Sequence, residues 1–405
     1  MKKIVKSLSS MVLVAALVLA SCSKDVEFDH IEEDLNAVPA KMALKPLPFE
    51  MKHPKMLPKL SEKAIFNDVP FDISQAVEPS KCTLTPFDDV IAASVASNLD
   101  SIGLDWYATY TDINFISTLI DDAPQYFGED GEDTQRVNRI TRKLERFWFM
   151  PHEVTVRGQH NTTLDDYDKI VEVLTSPFFG LPASDANAYA FYFVNFVNEQ
   201  STFLTETPLL SFDGFAVALG GQFGQNDLIV VGDGIVELLA ETGLSRGVVW
   251  NGILAHEWAH HIQFNNFNRW YPDGAADNAP EATRTTELEA DFFASYFVSH
   301  KKGATQNWRR TRQFLELFFN IGDCQFNSDG HHGTPLQRMR AARQGYRLAR
   351  RVQKNGKILS IDQVHKRFLK KLPSIIGEEP IIENPNQGIE IKDEYQLDVE
   401  AEALQ

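Results

Sequence analysis

Gly252–Phe264 reads GILAHEWAHHIQF, and it sets His256, Glu257 and His260 in an HExxH pattern inside an apolar run. In an α-helix, residues four apart sit about 40° from each other around the axis. The imidazoles of His256 and His260 therefore leave one face and can share one metal ion. Glu257 follows the first imidazole directly, so it is poorly placed to join that chelate but can take a proton from water at the metal's open position. Val248, Val249, Ile253, Leu254, Trp258, Ala259 and Ile262 make the helix apolar nearly all round, which predicts burial. Polar groups in a core cost several kcal/mol unless they are paired or hold a metal, so the pattern argues for a zinc hydrolase over a surface helix.

Catalytic zinc usually takes three protein ligands, so a third must lie elsewhere. The HExxHxxGxxH pattern fails here, because Gln263 and Asn266 occupy the positions of its Gly and third His. Downstream, Thr286–Val298 reads TELEADFFASYFV, a second apolar helix with acids early in it. Glu287 and Asp291 share a face, while Glu289 points about 160 to 200° away from both. This phase assigns Glu287 to the metal and Asp291 to a place behind a ligand histidine. The competing reading is an acidic first turn favoured by the helix dipole.

HExxH followed by ELEAD resembles the gluzincin metallopeptidases. Ala255–Gln263 (AHEWAHHIQ), Glu287–Ala294 (ELEADFFA) and His332–Arg338 (HGTPLQR) together are similar to the bacterial neutral zinc metallopeptidases. The likeness covers roughly residues 215–346. It implies Zn2+ on His256, His260 and Glu287, with Glu257 as the catalytic residue, and it brings HGTPLQR close to the cleft. Phe292 stands where this likeness leads one to expect Cys. Thr334, Pro335 and Gln337 read as a capped helix start, so His332 sits on a loop fixed by that cap and is the candidate second donor to a reacting carbonyl oxygen. His331 and His261 compete with it for that role.

The chain begins with Lys2, Lys3 and Lys6 and an apolar run to Ala20, the pattern of a secretory signal. Leu19, Ala20 and Ser21 before Cys22 resemble a lipoprotein signal, which implies that residues 1–22 are a leader and that acylated Cys22 anchors the protein in the bacterial cell envelope. Residues 23–63 are rich in Pro and charge and read as a tether. Residues 64–210 read as a helical N-terminal portion and 211–372 as a zinc metallopeptidase core. Residues 373–405, dominated by Glu and Asp, read as a disordered tail.

Helical periodicity marks 88–99, 135–149, 165–174, 186–203, 236–242, 245–264, 285–300, 307–320, 334–352 and 362–371. Strand patterns at 215–219 and 228–231, joined by a Gly-rich turn, predict a hairpin just before the HExxH helix. The fold class is thus α+β and helix-rich, and a strand in that position in gluzincins borders the cleft. The acidic loop at 129–133 and the run Arg338–Arg351 read as solvated. A net charge of −17 disfavours nucleic acid as a partner. Besides Cys22 only Cys82 and Cys324 are present, and an exported chain can bridge them. The expected activity is hydrolysis of a peptide or protein substrate. The alternatives are a zinc-containing binding lipoprotein without turnover and a zinc hydrolase of a non-peptide amide.

Overall fold

The computed structural model describes residues 19–21, 85–219, 226–270, 279–305, 308–322 and 332–377. Cys22, Cys82, Cys324 and the stretches read as tether and acidic tail lie outside them, apart from 373–377, where a short helix ends the described chain.

Helices dominate. In chain order they are α1 (Pro86–Asn98), α2 (Ser101–Ile120), α3 (Thr134–Trp148), α4 (Tyr167–Thr175), α5 (Ala183–Tyr192), α6 (Thr202–Glu206), α7 (Asp233–Glu241), α8 (Arg246–Trp270), α9 (Ala279–Ser299), α10 (Trp308–Asn320), α11 (Pro335–Val352), α12 (Ile361–Leu369) and α13 (Leu372–Ile376). The strands are β1 (Leu19–Ser21), β2 (Val154–Gln159), β3 (Gly214–Val217) and β4 (Asp227–Gly232), in the order β1–β3–β4–β2. This is a helix-rich α+β fold, and β3 and β4 pair antiparallel as the hairpin pattern predicts. Among the described residues no helix is long and apolar enough to cross a membrane.

Two elements depart from the sequence patterns, one predicted helix is broken, and β1, paired antiparallel with β3, lies within residues 1–22 read as a leader. Helix α2 shows no clean apolar stripe because polar groups sit on its buried face. Asn114 is fully buried and donates to the Leu210 carbonyl at 2.6 Å, and the Thr118 carbonyl accepts from Arg157 at 2.8 Å. Strand β2 is disguised in the same way, since buried Arg157 and Gln159 lie inside it, yet it pairs in parallel with β4 along its whole length. The helix expected over 186–203 ends instead at Tyr192. A π-turn follows at Phe193–Val197, and Ser201 starts α6 by accepting from the Leu204 N–H.

The core is continuous from Phe87 to Ile375 and includes residues from both 64–210 and 211–372. Helix α8 runs through it. Its first turns are fixed by Asp133, which is buried and accepts from Trp250 Nε1 at 2.8 Å and from Arg246 Nη2 at 2.8 Å. The acidic loop at 129–133 is therefore not wholly solvated, because its last residue anchors α8. Gly252 lets α10 press against α8, since a methyl there would collide with Leu317. Gly345 does the same between α11 and α9, where a methyl would strike the Phe292 carbonyl. Phe292 itself is buried and packs edge-on against Phe368.

Candidate metal centre

His256, Glu257 and His260 come from the middle of α8 and are 0 to 1% exposed. One helical turn brings the two imidazoles together, with their Nε2 atoms 3.0 Å apart. Helix α9 lies alongside and delivers Glu287, whose Oε2 is 3.1 Å from His256 Nε2 and whose Oε1 is 3.3 Å from His260 Nε2. The three residues form a buried group that could hold a metal ion. A tetrahedral ion with bonds of about 2.0–2.1 Å spaces its ligand atoms about 3.3 Å apart, and the observed separations fit that requirement.

What stands behind His256 is charged. Its Nδ1 lies 2.9 Å from Asp291 Oδ1. Asp291 in turn accepts a bidentate pair from Arg338, Nε to Oδ2 at 2.8 Å and Nη2 to Oδ1 at 2.7 Å. Arg338 also donates through Nη1 to the Ile321 carbonyl at 3.2 Å, and its Nη2 is 3.5 Å from Glu287 Oε2. The guanidinium lies over the Phe318 ring at 5.8 Å and is fully buried. The basic run on α11 therefore does not begin with a wet residue. Arg338 belongs with Ala342, Gly345 and Ala349 on the helix face turned inward, and that small-residue stripe is the signal that places it there.

These charges act on one another. Burial pulls the His256 imidazole down, but hydrogen bonds to Asp291 and Glu287 and their negative charges outweigh it and hold the pKa above the ordinary histidine range. Burial likewise pushes Glu287 up, yet the charge of His260 and the hydrogen bonds and charge from both histidines hold it well below the ordinary carboxylate range. A cation placed among these donors replaces a proton and meets a carboxylate that is already ionised.

His260 is held differently, by a neutral amide: its Nδ1 is 2.8 Å from Gln263 Oε1. In the sequence Gln263 is marked only by standing where another zinc motif has its glycine, which gives no sign of this contact. His261, the neighbour on α8, turns away from the group, with Nδ1 2.7 Å from Asp227 Oδ2 and Nε2 3.2 Å from Glu153 Oε2. It ties α8 to the start of β4. His332 is partly exposed on the loop before α11, whose Thr334 accepts from the Gln337 N–H and completes a capping box. Next to it Gly333, at φ +98°, lies against Arg284, Leu288 and Arg338. No protein-family model, no characterised protein and no solved structure matches this chain.

Proposed function

We propose that the protein is a zinc-dependent peptidase of the gluzincin type, exported and lipid-anchored through Cys22. The observation that carries this reading is the buried group of two Nε2 atoms and one carboxylate at 3.0 to 3.3 Å spacing, with Glu257 beside it on the same helix. Two imidazoles and one carboxylate are the donor set that suits catalytic zinc, which leaves a coordination position open. When bound, the metal supplies Lewis acidity, acidifying water and polarising the carbonyl to be cut.

The chain's own residues do the rest. His256 and His260 present nitrogen lone pairs, and Glu287 brings the negative charge that holds a dication. Asp291, clamped by Arg338, keeps the His256 ring in orientation. Glu257 accepts a proton from the attacking water on its carboxylate and returns it to the leaving nitrogen. To His332, on the capped loop that leads into Arg338, we assign the hydrogen bond to the carbonyl oxygen. The order of elements supports the gluzincin reading: a hairpin, then the HExxH helix, then a helix carrying the third acid.

The test begins with the full chain purified in zinc, which should carry about one equivalent and cleave members of a mixed peptide library, with cleavage lost on chelation and regained on adding zinc. Glu287→Ala should weaken zinc binding well beyond the roughly 10 to 100-fold that changes behind a ligand cost. Glu289→Ala should stay within that range, because Glu289 leaves α9 on the other side and meets Gln263 and His365 instead. Equal zinc affinity in the two variants, or cleavage indifferent to chelation, would overturn the assignment. Separately, Cys22→Ser should move the protein from the membrane fraction to the soluble fraction of its cells. An unmodified mature N-terminus in the parent, read by mass spectrometry, would remove the lipid anchor.

A further inference from the structure

A buried polar chain runs outward from His260 and takes no part in the reaction as proposed. Gln263 sits one turn along α8, and every part of its amide is engaged. Oε1 faces His260 Nδ1 at 2.8 Å, while Nε2 donates to the Thr286 carbonyl at 2.9 Å and to Glu289 Oε2 at 3.1 Å. Glu289 is fully buried, and its other oxygen lies 2.6 Å from Nδ1 of His365 on α12. The His365 ring lies flat on Trp270, 4.2 Å between centroids and 4° from parallel, and the Trp270 indole donates to Asp362 Oδ1 at 2.8 Å. Helix α12 is thereby fixed to the end of α8.

The direction of these bonds can be deduced. A backbone carbonyl only accepts, so the Gln263 NH2 group must face Thr286 O, and a carboxylate oxygen on the same side reinforces the choice. The amide oxygen is left facing His260, and an amide oxygen also only accepts. His260 must therefore carry a proton on Nδ1, and a metal at Nε2 has only to displace a proton shared there with Glu287, 3.3 Å away. Of the two neutral forms of imidazole, this is the one that can ligate a metal at Nε2.

We propose that Gln263 is a positioning residue that locks His260 in the Nδ1–H tautomer, and that Glu289, braced by His365, holds the Gln263 amide in the required orientation. Its consequence for zinc rests on the metal-site reading above, whereas the tautomer can be read without any metal. The two histidine ligands are thus prepared by different means, His256 by a charged pair and His260 by a neutral amide with a carboxylate one bond further out.

The experiment uses the full chain labelled with 15N-histidine. In the metal-free parent, at a pH where the His260 ring is neutral, long-range proton–nitrogen NMR should show it as the Nδ1–H form. Gln263→Met, of similar length but without the acceptor, should show a mixture of tautomers, and zinc affinity measured against a chromophoric chelator should fall by about 10 to 100-fold. A purely structural role would lower the melting temperature in Gln263→Met and leave the tautomer unchanged, which overturns the proposal. So does an Nε2–H form in the parent. If Gln263→Met does not fold, Glu289→Gln is read in the same way, with a smaller shift toward the mixture expected and an unchanged tautomer and affinity counting against it. A parent that shows the Nδ1–H form but takes up no zinc would sink the metal-site reading alone.

Discussion

Glu257→Gln should keep its zinc and its melting temperature and lose about 10² to 10⁴-fold in turnover, the share of a rate that a well-placed general base contributes. The variant is nearly isosteric, so the packing of α8 is unchanged. Among the described residues the group able to hold an ion consists of His256, His260 and Glu287, and Glu257 is outside it. Loss of its charge therefore removes a proton acceptor without removing a ligand. Metal analysis and steady-state kinetics on peptides cleaved by the parent provide the check. Turnover within about threefold of the parent would show that Glu257 is not the base; loss of zinc in step with activity would make it a ligand.

The largest expected loss of stability is at Arg338. Arg338→Met keeps much of the volume but strips Asp291 of its bidentate partner, leaving a fully buried carboxylate whose remaining contact is His256 Nδ1 at 2.9 Å. Breaking a buried pair from one side costs about 3 to 5 kcal/mol, because the remaining charge has been taken out of water without compensation. For a fold of this size that corresponds to a fall of roughly 6 to 10 °C in melting temperature. Zinc affinity should fall as well, since Asp291 would no longer be held against His256. Arg338→Met combined with Asp291→Asn should lose less than the sum of the two single changes, because the second removes the charge that the first exposes. Additive losses would mean that the two side chains are not a coupled pair.

How much of this could be read beforehand depends on the kind of interaction involved. The HExxH helix and the acid-bearing helix after it were legible because helical phase alone decides which side chains share a face. The α11 start was legible because capping is local, with Thr334, Pro335 and Gln337 adjacent in sequence. Helix α2 and strand β2 were hidden because Asn114 and Arg157 are polar groups satisfied by carbonyls far along the chain, and periodicity treats them as surface. Arg338 was hidden for the same reason, its partner Asp291 lying on a different helix. Gln263, Glu289 and His365 come from three helices, and nothing local links them. Long-range pairing of buried polar groups is what the pattern of a single sequence does not record.

The burial of the candidate ligands has one further consequence, for time rather than for affinity. With His256, His260 and Glu287 at 0 to 1% exposure and Arg338 joining α9, Ile321 and α11 behind them, an ion, and equally the water and carbonyl of the proposed reaction, reaches these donors only through a local opening of the helices around them. Residence would then be governed by the frequency of a local opening and not by the strength of the metal–ligand bonds. A weak chelator and a strong one, both in excess, would strip the metal at the same rate. That rate would rise with temperature as amide exchange in α11 does.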